Sequence, residues 1–310
     1  MKTKIIFRLT LILIALIGIG LSSCKKDKTT DSTPDSSSLQ QLATDETNMQ
    51  NATDEALNDV SAFLTGGNLK STEMSPCHVM IDSTSVFNDT IAYYLTYDGP
   101  NCAGTRIRTG QTIVKKQVGT HWIDAGATVI VKFINLHITK VSSGKSITLN
   151  GQKTFQNFSG GKIGQLGNGL DSIIYKIWGY VNVTFDNNTS AAWHVARQRV
   201  FTGTPGELLV SNTGFGSNAG VDNLVTWGTN RNGEDFYTQI QKVVVTRQTC
   251  DWDPVSGIKL HRIPAHDKQA LITFGYDSNN QPVTNGDCPT KYRVDWQKNG
   301  NSGTVYLWLP

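Results

Sequence analysis

Apolar and polar positions along the 310-residue chain fall into three successive regimes. From Ile5 to Leu21 the chain is almost wholly apolar, interrupted only by Arg8 and Thr10. The 11 residues after Thr10 are too few to cross a hydrocarbon core, which takes ~20. A second regime runs over residues 39–67, where Leu39, Leu42, Met49, Ala52, Ala56, Val60 and Phe63 recur at steps of three and four or their multiples. That period predicts one amphipathic helix, with Ser38 as N-cap and Gly66-Gly67 as terminator.

From Cys77 onward the period drops to two. The clearest case is 171–186, where Ile173, Tyr175, Ile177, Val181, Val183 and Phe185 share one face and Lys176, Asn182, Thr184 and Asp186 the other. Alternation of this kind marks a half-buried strand. Comparable runs lie at 90–97, 105–118, 127–140, 145–158, 190–202, 223–229, 235–248, 256–263, 268–276, 290–297 and 303–309. Short turn sequences separate several of them, such as "SSGK" at 142 and "NRNGED" at 230. Strands in sequence without helices between them predict an all-β antiparallel meander, either a sandwich or an extended twisted sheet, behind one N-terminal helix. Two stretches, 159–170 and 203–222, read as long irregular loops. The organisation expected is a signal at 1–23, a tether at 24–38, the helix at 39–67, a main β domain at 68–248, and further strands at 249–310 in the same domain or a small subdomain.

Charge sharpens this division. Lys2, Lys4 and Arg8 carry the whole formal charge of +3, so the chain from Cys24 onward is neutral and offers no argument for nucleic acid. Within it the split is uneven. Residues 25–64 hold 3 basic and 8 acidic groups, whereas residues 65–310 hold 22 and 17. A net-acidic N-terminal segment and a net-basic body are expected to attract each other modestly, an effect that salt screens.

The start of the chain carries its own chemistry. A basic n-region, an apolar stretch and the small residues of "LSSC" precede Cys24. This resembles the bacterial lipoprotein signal, which is cut before the cysteine and acylated on its sulfur. Acyl chains contribute ~0.8 kcal/mol per buried CH₂ and can hold a soluble domain on a bilayer. The polar run "KKDKTTDSTPDSSS" that follows cannot bury surface and reads as a flexible tether. Export also implies an oxidising compartment. The remaining cysteines, Cys77, Cys102, Cys250 and Cys288, allow three pairings. Proximity in sequence favours Cys77–Cys102 and Cys250–Cys288. Their spacing does not suit a metal site, and no cofactor is expected.

No catalytic signature emerges. There is no G-x-S-x-G elbow and no H-E-x-x-H. His261, His266 and Asp267 fall on unsuitable spacings for a metal, and Asp251 with Asp253 offers proximity alone as a glycosidase pair. A repeated constellation stands out instead. Trp193 precedes Arg197 and Arg199, and Trp227 precedes Arg231. Positions i, i+2 and i+4 share a strand face. These five residues therefore make either a Trp–Arg stack covering a solvated sheet or a ligand face for sugars or anions.

"LSSCKKD", "DEALNDV" at 54–60, "NCAGTRIRTGQ" at 101–111, "WHVARQR" at 193–199 and "CDWDPVSG" at 250–257 together resemble Bacteroidota outer-membrane and cell-surface lipoproteins without an assigned activity. The resemblance implies a protein held at the outer membrane by Cys24, exposed at the surface or facing the periplasm. With no catalytic motif, the expectation is a non-catalytic binding or adhesion module with glycans as candidate ligand. The alternatives are an accessory lipoprotein binding another envelope protein and, further off, a glycan-active enzyme.

Overall fold

A computed structural model describes residues 37–66, 76–284 and 286–309, with the side chains of 83–87 excepted. The signal, Cys24 and the tether lie outside the described residues. The acidic segment forms a single 30-residue helix, α1 (Ser37–Gly66). All the strands belong to one 15-stranded sheet. They are β1 (Val79–Phe87), β2 (Thr90–Pro100), β3 (Arg106–Gln117), β4 (Ala127–Lys140), β5 (Ser146–Asn157), β6 (Ser172–Phe185), β7 (Ser190–Thr202), β8 (Leu209–Gly214), β9 (Gly216–Asn218), β10 (Val221–Thr229), β11 (Asp235–Arg247), β12 (Pro254–Ile263), β13 (Lys268–Tyr276), β14 (Lys291–Lys298) and β15 (Asn301–Trp308).

Strands neighbouring in sequence pair antiparallel from β1 to β7 and again from β10 to β15, so the meander is what the alternation predicted. It is one extended sheet rather than a sandwich. The pairing of β11 with β12 carries it unbroken past residue 249, and the strands beyond that point continue the same sheet. The 203–222 stretch differs from the expected irregular loop. It contains β8, which pairs with both β7 and β11, and β9, which pairs with β10. Val210 and Asn212 bury alternate side chains there, but flanking glycines broke the pattern in the sequence. The 159–170 connection is ordered by Asn157, whose amide donates to the Trp122 and Gly161 carbonyls at 2.8 Å.

The sheet curls round α1. Helix side chains reach β2 (Phe63 on Tyr93), β3 (Glu55 on Arg106), β7 (Asp54 on Arg197) and β12 (Glu46 on His261). Only Ser37, Asn51 and Asn58 of the helix are exposed. A sheet can coil this tightly only where backbones close up, and glycines permit it. Gly151 and Gly179 sit on adjacent strands at φ +147° and +143°. A Cβ at either would lie 2.5 or 2.3 Å from a neighbouring strand carbonyl. One apolar core results, joining Leu39, Met49, Leu57 and Val60 of α1 to Phe133, Phe155, Tyr175 and Val294 of the sheet. Burial of such side chains stabilises by about 1.5–3 kcal/mol each.

The disulfides are Cys77–Cys102 and Cys250–Cys288, the pairing that sequence proximity favoured. The first joins the entry to β1 with the β2–β3 turn. Among the described residues no helix is long and apolar enough to cross a membrane.

Candidate ligand-binding groove

The five residues proposed as a ligand face do not form one. Trp193 is 1% exposed, its ring between Phe185 and Phe236 and its indole N–H donating to the Thr229 carbonyl at 2.8 Å. Arg197 and Arg199 are buried and face Asp54 of α1. Arg231 grips Asp45 through two hydrogen bonds of 2.6 Å. A guanidinium–indole stack is also replaced, because Arg108, Arg199 and Arg231 lie over Tyr97, Phe201 and Phe185 instead. The reason is the helix. Its carboxylates draw the arginines to the concave face, and the strand period takes Trp193 with them.

The interior is an extensive charge lattice. Arg108 meets both Glu55 (3.2 Å) and Asp59 (2.6 Å), and Arg106 meets Glu55 at 2.7 Å. Burial pushes the Asp59 carboxyl up to about 6 despite Arg108. Burial acts on Asp54 in the same direction, but Arg197 and Arg199 outweigh it and hold that carboxyl below its usual range. His261 contacts Thr238 at 3.0 Å and Glu46 at 3.2 Å, and burial pulls its imidazole down to about 4. The imidazole is therefore neutral at pH 7 and packs as a structural group. His266, in contrast, is exposed beside Glu234.

Trp227 alone of the five turns outward, and it does so in company. Thr226 points in, bonding Glu46, so its neighbour Trp227 points out. In register it faces His194 of β7, and His194 faces Tyr180 of β6. The His194 and Trp227 rings stack with centroids 5.4 Å apart and planes at 15°. A second line runs beside the first. Trp178 lies opposite Ala196, and Phe215 comes down over that strand with its N–H on the Ala196 carbonyl. Trp178 meets Phe215 edge to face at 6.4 Å. Between the lines is a groove of about 460 Å³ with Val195 and Ala196 among its lining residues.

Local sequence explains the shape. Gly216 lets the Trp227 ring lie flat, since a Cβ there would come within 2.5 Å of the indole. Phe215 is the single residue between β8 and β9, held beside β7 by its N–H bond to the Ala196 carbonyl. Polar groups are few. Gln156 and Lys176 line one end, and the Lys176 ammonium sits 3.9 Å from the Phe158 ring centroid. The lining residues include no carboxylate. Aromatic faces with one amide, one ammonium and one imidazole can stack on a flat apolar ring face and orient its hydroxyls.

Trp178, His194 and Phe215 were not singled out by sequence. A signal for the first two existed. Once the acidic helix claims the arginine-bearing parity of the strands, the opposite parity of β6 and β7 must face outward. Phe215 had no comparable signal, because its position depends on β8 and β9, in a stretch that the sequence read as loop. Comparison with known proteins finds no family model that matches the chain, and no match among curated proteins or solved structures.

Proposed function

We propose that the protein is a lipid-anchored envelope module that binds a glycan, without transforming it, through the Trp227–His194–Trp178–Phe215 groove. The observation that carries this is the pair of outward-facing aromatic lines on the sheet, half-buried at Trp178 and Trp227 and exposed at His194, Tyr180 and Phe215, with a small polar complement at one end. Pyranose rings offer an apolar face for stacking and hydroxyls at the edge, which is the chemistry the groove presents. The lack of a carboxylate among its lining residues favours binding over glycosidic cleavage, which uses a pair of them. Anchoring rests on Cys24 and its preceding signal, which also support placement at the outer membrane. Titration with neutral oligosaccharides, read by tryptophan fluorescence, should saturate in the native chain and weaken in Trp227→Ala. Saturation unchanged in that variant would remove the groove from consideration. The exposed rings Phe158, Tyr180 and Phe215 also suit a protein partner. Co-purification of an envelope protein through this surface, with no sugar binding, would favour that second reading.

A further inference from the structure

Beneath the middle of α1 the charges do not balance. Lys153 of β5 and Arg197 and Arg199 of β7 are 1%, 4% and 6% exposed and share one carboxylate, Asp54. Arg197 donates to Asp54 through Nη2. Arg199 makes no hydrogen bond to it, only an ion pair with its Nη1 3.8 Å from Oδ2. Glu46, elsewhere on the same helix, is already engaged by Lys259, His261, Thr226 and Thr238. Three buried nitrogens make no hydrogen bond: Arg197 Nε, Arg199 Nε and Arg199 Nη1, the last having only the ion pair with Asp54. The Arg199 guanidinium lies over the Phe201 ring at 4.8 Å, and Tyr175 stands nearby with its hydroxyl 3.3 Å from the Ser61 hydroxyl.

A buried donor without a hydrogen bond is destabilising, and more so when it is charged. Lysine can relieve part of the strain by losing its proton, and burial together with Arg197 pulls Lys153 down to about 7. Guanidinium groups cannot do so. Lys153 aside, the two fixed guanidinium charges still face the single charge of Asp54. A water molecule would satisfy donors and leave that charge standing.

We propose that Lys153, Arg197 and Arg199 form a buried site for one small monovalent inorganic anion of the chloride class, held by the unpartnered Nε–H groups of Arg197 and Arg199. The excess of one guanidinium charge over Asp54 matches a monovalent species. The anion completes the polar lattice that fixes α1 inside the sheet. It sits on the concave face, so it is independent of the outward-facing groove.

The test follows thermal unfolding of the full chain at constant ionic strength while gluconate is replaced stepwise by chloride. The melting temperature should rise and saturate, as mass action requires of a ligand bound only to the folded state. In Arg199→Met the chloride response should vanish, while the melting temperature in gluconate stays at or above that of the native chain. Equal melting curves in the two salts, or an undiminished chloride response in Arg199→Met, would overturn the site. Should the variant not fold, crystals of the native chain grown in bromide decide the matter by anomalous scattering. A bromide peak beside the Nε atoms of Arg197 and Arg199 supports the site, and its absence there rejects it.

Discussion

Trp193 and Trp227 carry the same side chain to opposite fates. Trp193 fills the core between Phe185 and Phe236, so Trp193→Ala should lower stability by about 3–5 kcal/mol in chemical denaturation. Trp227 lines the outer groove, so Trp227→Ala should weaken ligand by about 1–3 kcal/mol with little change in melting temperature. Loss of stability from the second variant and not the first would reverse the assignment of faces. His261 gives a further residue-scale test through pH. Its imidazole, facing Glu46, Lys259 and Thr238, titrates at about 4 when folded against a model-peptide value of 6.5. Between those values the unfolded chain binds more protons, so folding stability falls as pH drops from 6.5 towards 4. The loss from this group reaches roughly 3 kcal/mol. His261→Gln should flatten that limb of the stability–pH curve, and a curve of unchanged slope would show that His261 does not cause it.

At the scale of elements, helix and sheet hold each other mainly through carboxylates and guanidinium groups set in an apolar surround. Buried ion pairs of this kind fix position more than they add stability, yet breaking one by deleting a partner costs about 3–5 kcal/mol. Asp54→Ala leaves Arg197 and Arg199 facing each other under the helix and should be destabilising by about that amount. Asn58→Ala, at one of the exposed positions of α1, should be close to neutral. Comparable losses in both would mean that the helix is not docked through its acids. The strands make a parallel point about curvature. Gly179→Val would drive a side chain into the Gln152 carbonyl and impose an unfavourable φ, so it should lower the melting temperature strongly or prevent folding. A soluble Gly179→Val with native melting behaviour would remove the glycine from the account of the bend.

For the whole molecule, anchoring is the outermost claim. Metabolic labelling with a fatty acid should tag the native chain and fail on Cys24→Ala, and persistent labelling of that variant would end the lipoprotein proposal. The division between what was legible and what was not follows from the range of the interactions involved. Local alternation determined the elements: the 3.6 period of Leu39 to Phe63 and the 2.0 period of Ile173 to Phe185 need only neighbouring side chains. The meander followed from short connections, and the disulfides from proximity of Cys77 to Cys102 and Cys250 to Cys288 along the chain. Composition even placed the opposing charges in the helix and the sheet. Which strand face meets that helix is a different kind of fact. Period two gives two faces and no sign, so Trp193 and Arg197 could be grouped by sequence but not directed inward or outward. Only the docking of Asp45, Glu46, Asp54, Glu55 and Asp59 against β3, β7 and the strands beyond chose the concave side. That choice sent His194, Trp178 and Trp227 to the surface, because residues one step apart on a strand must part company when the sheet closes on a helix.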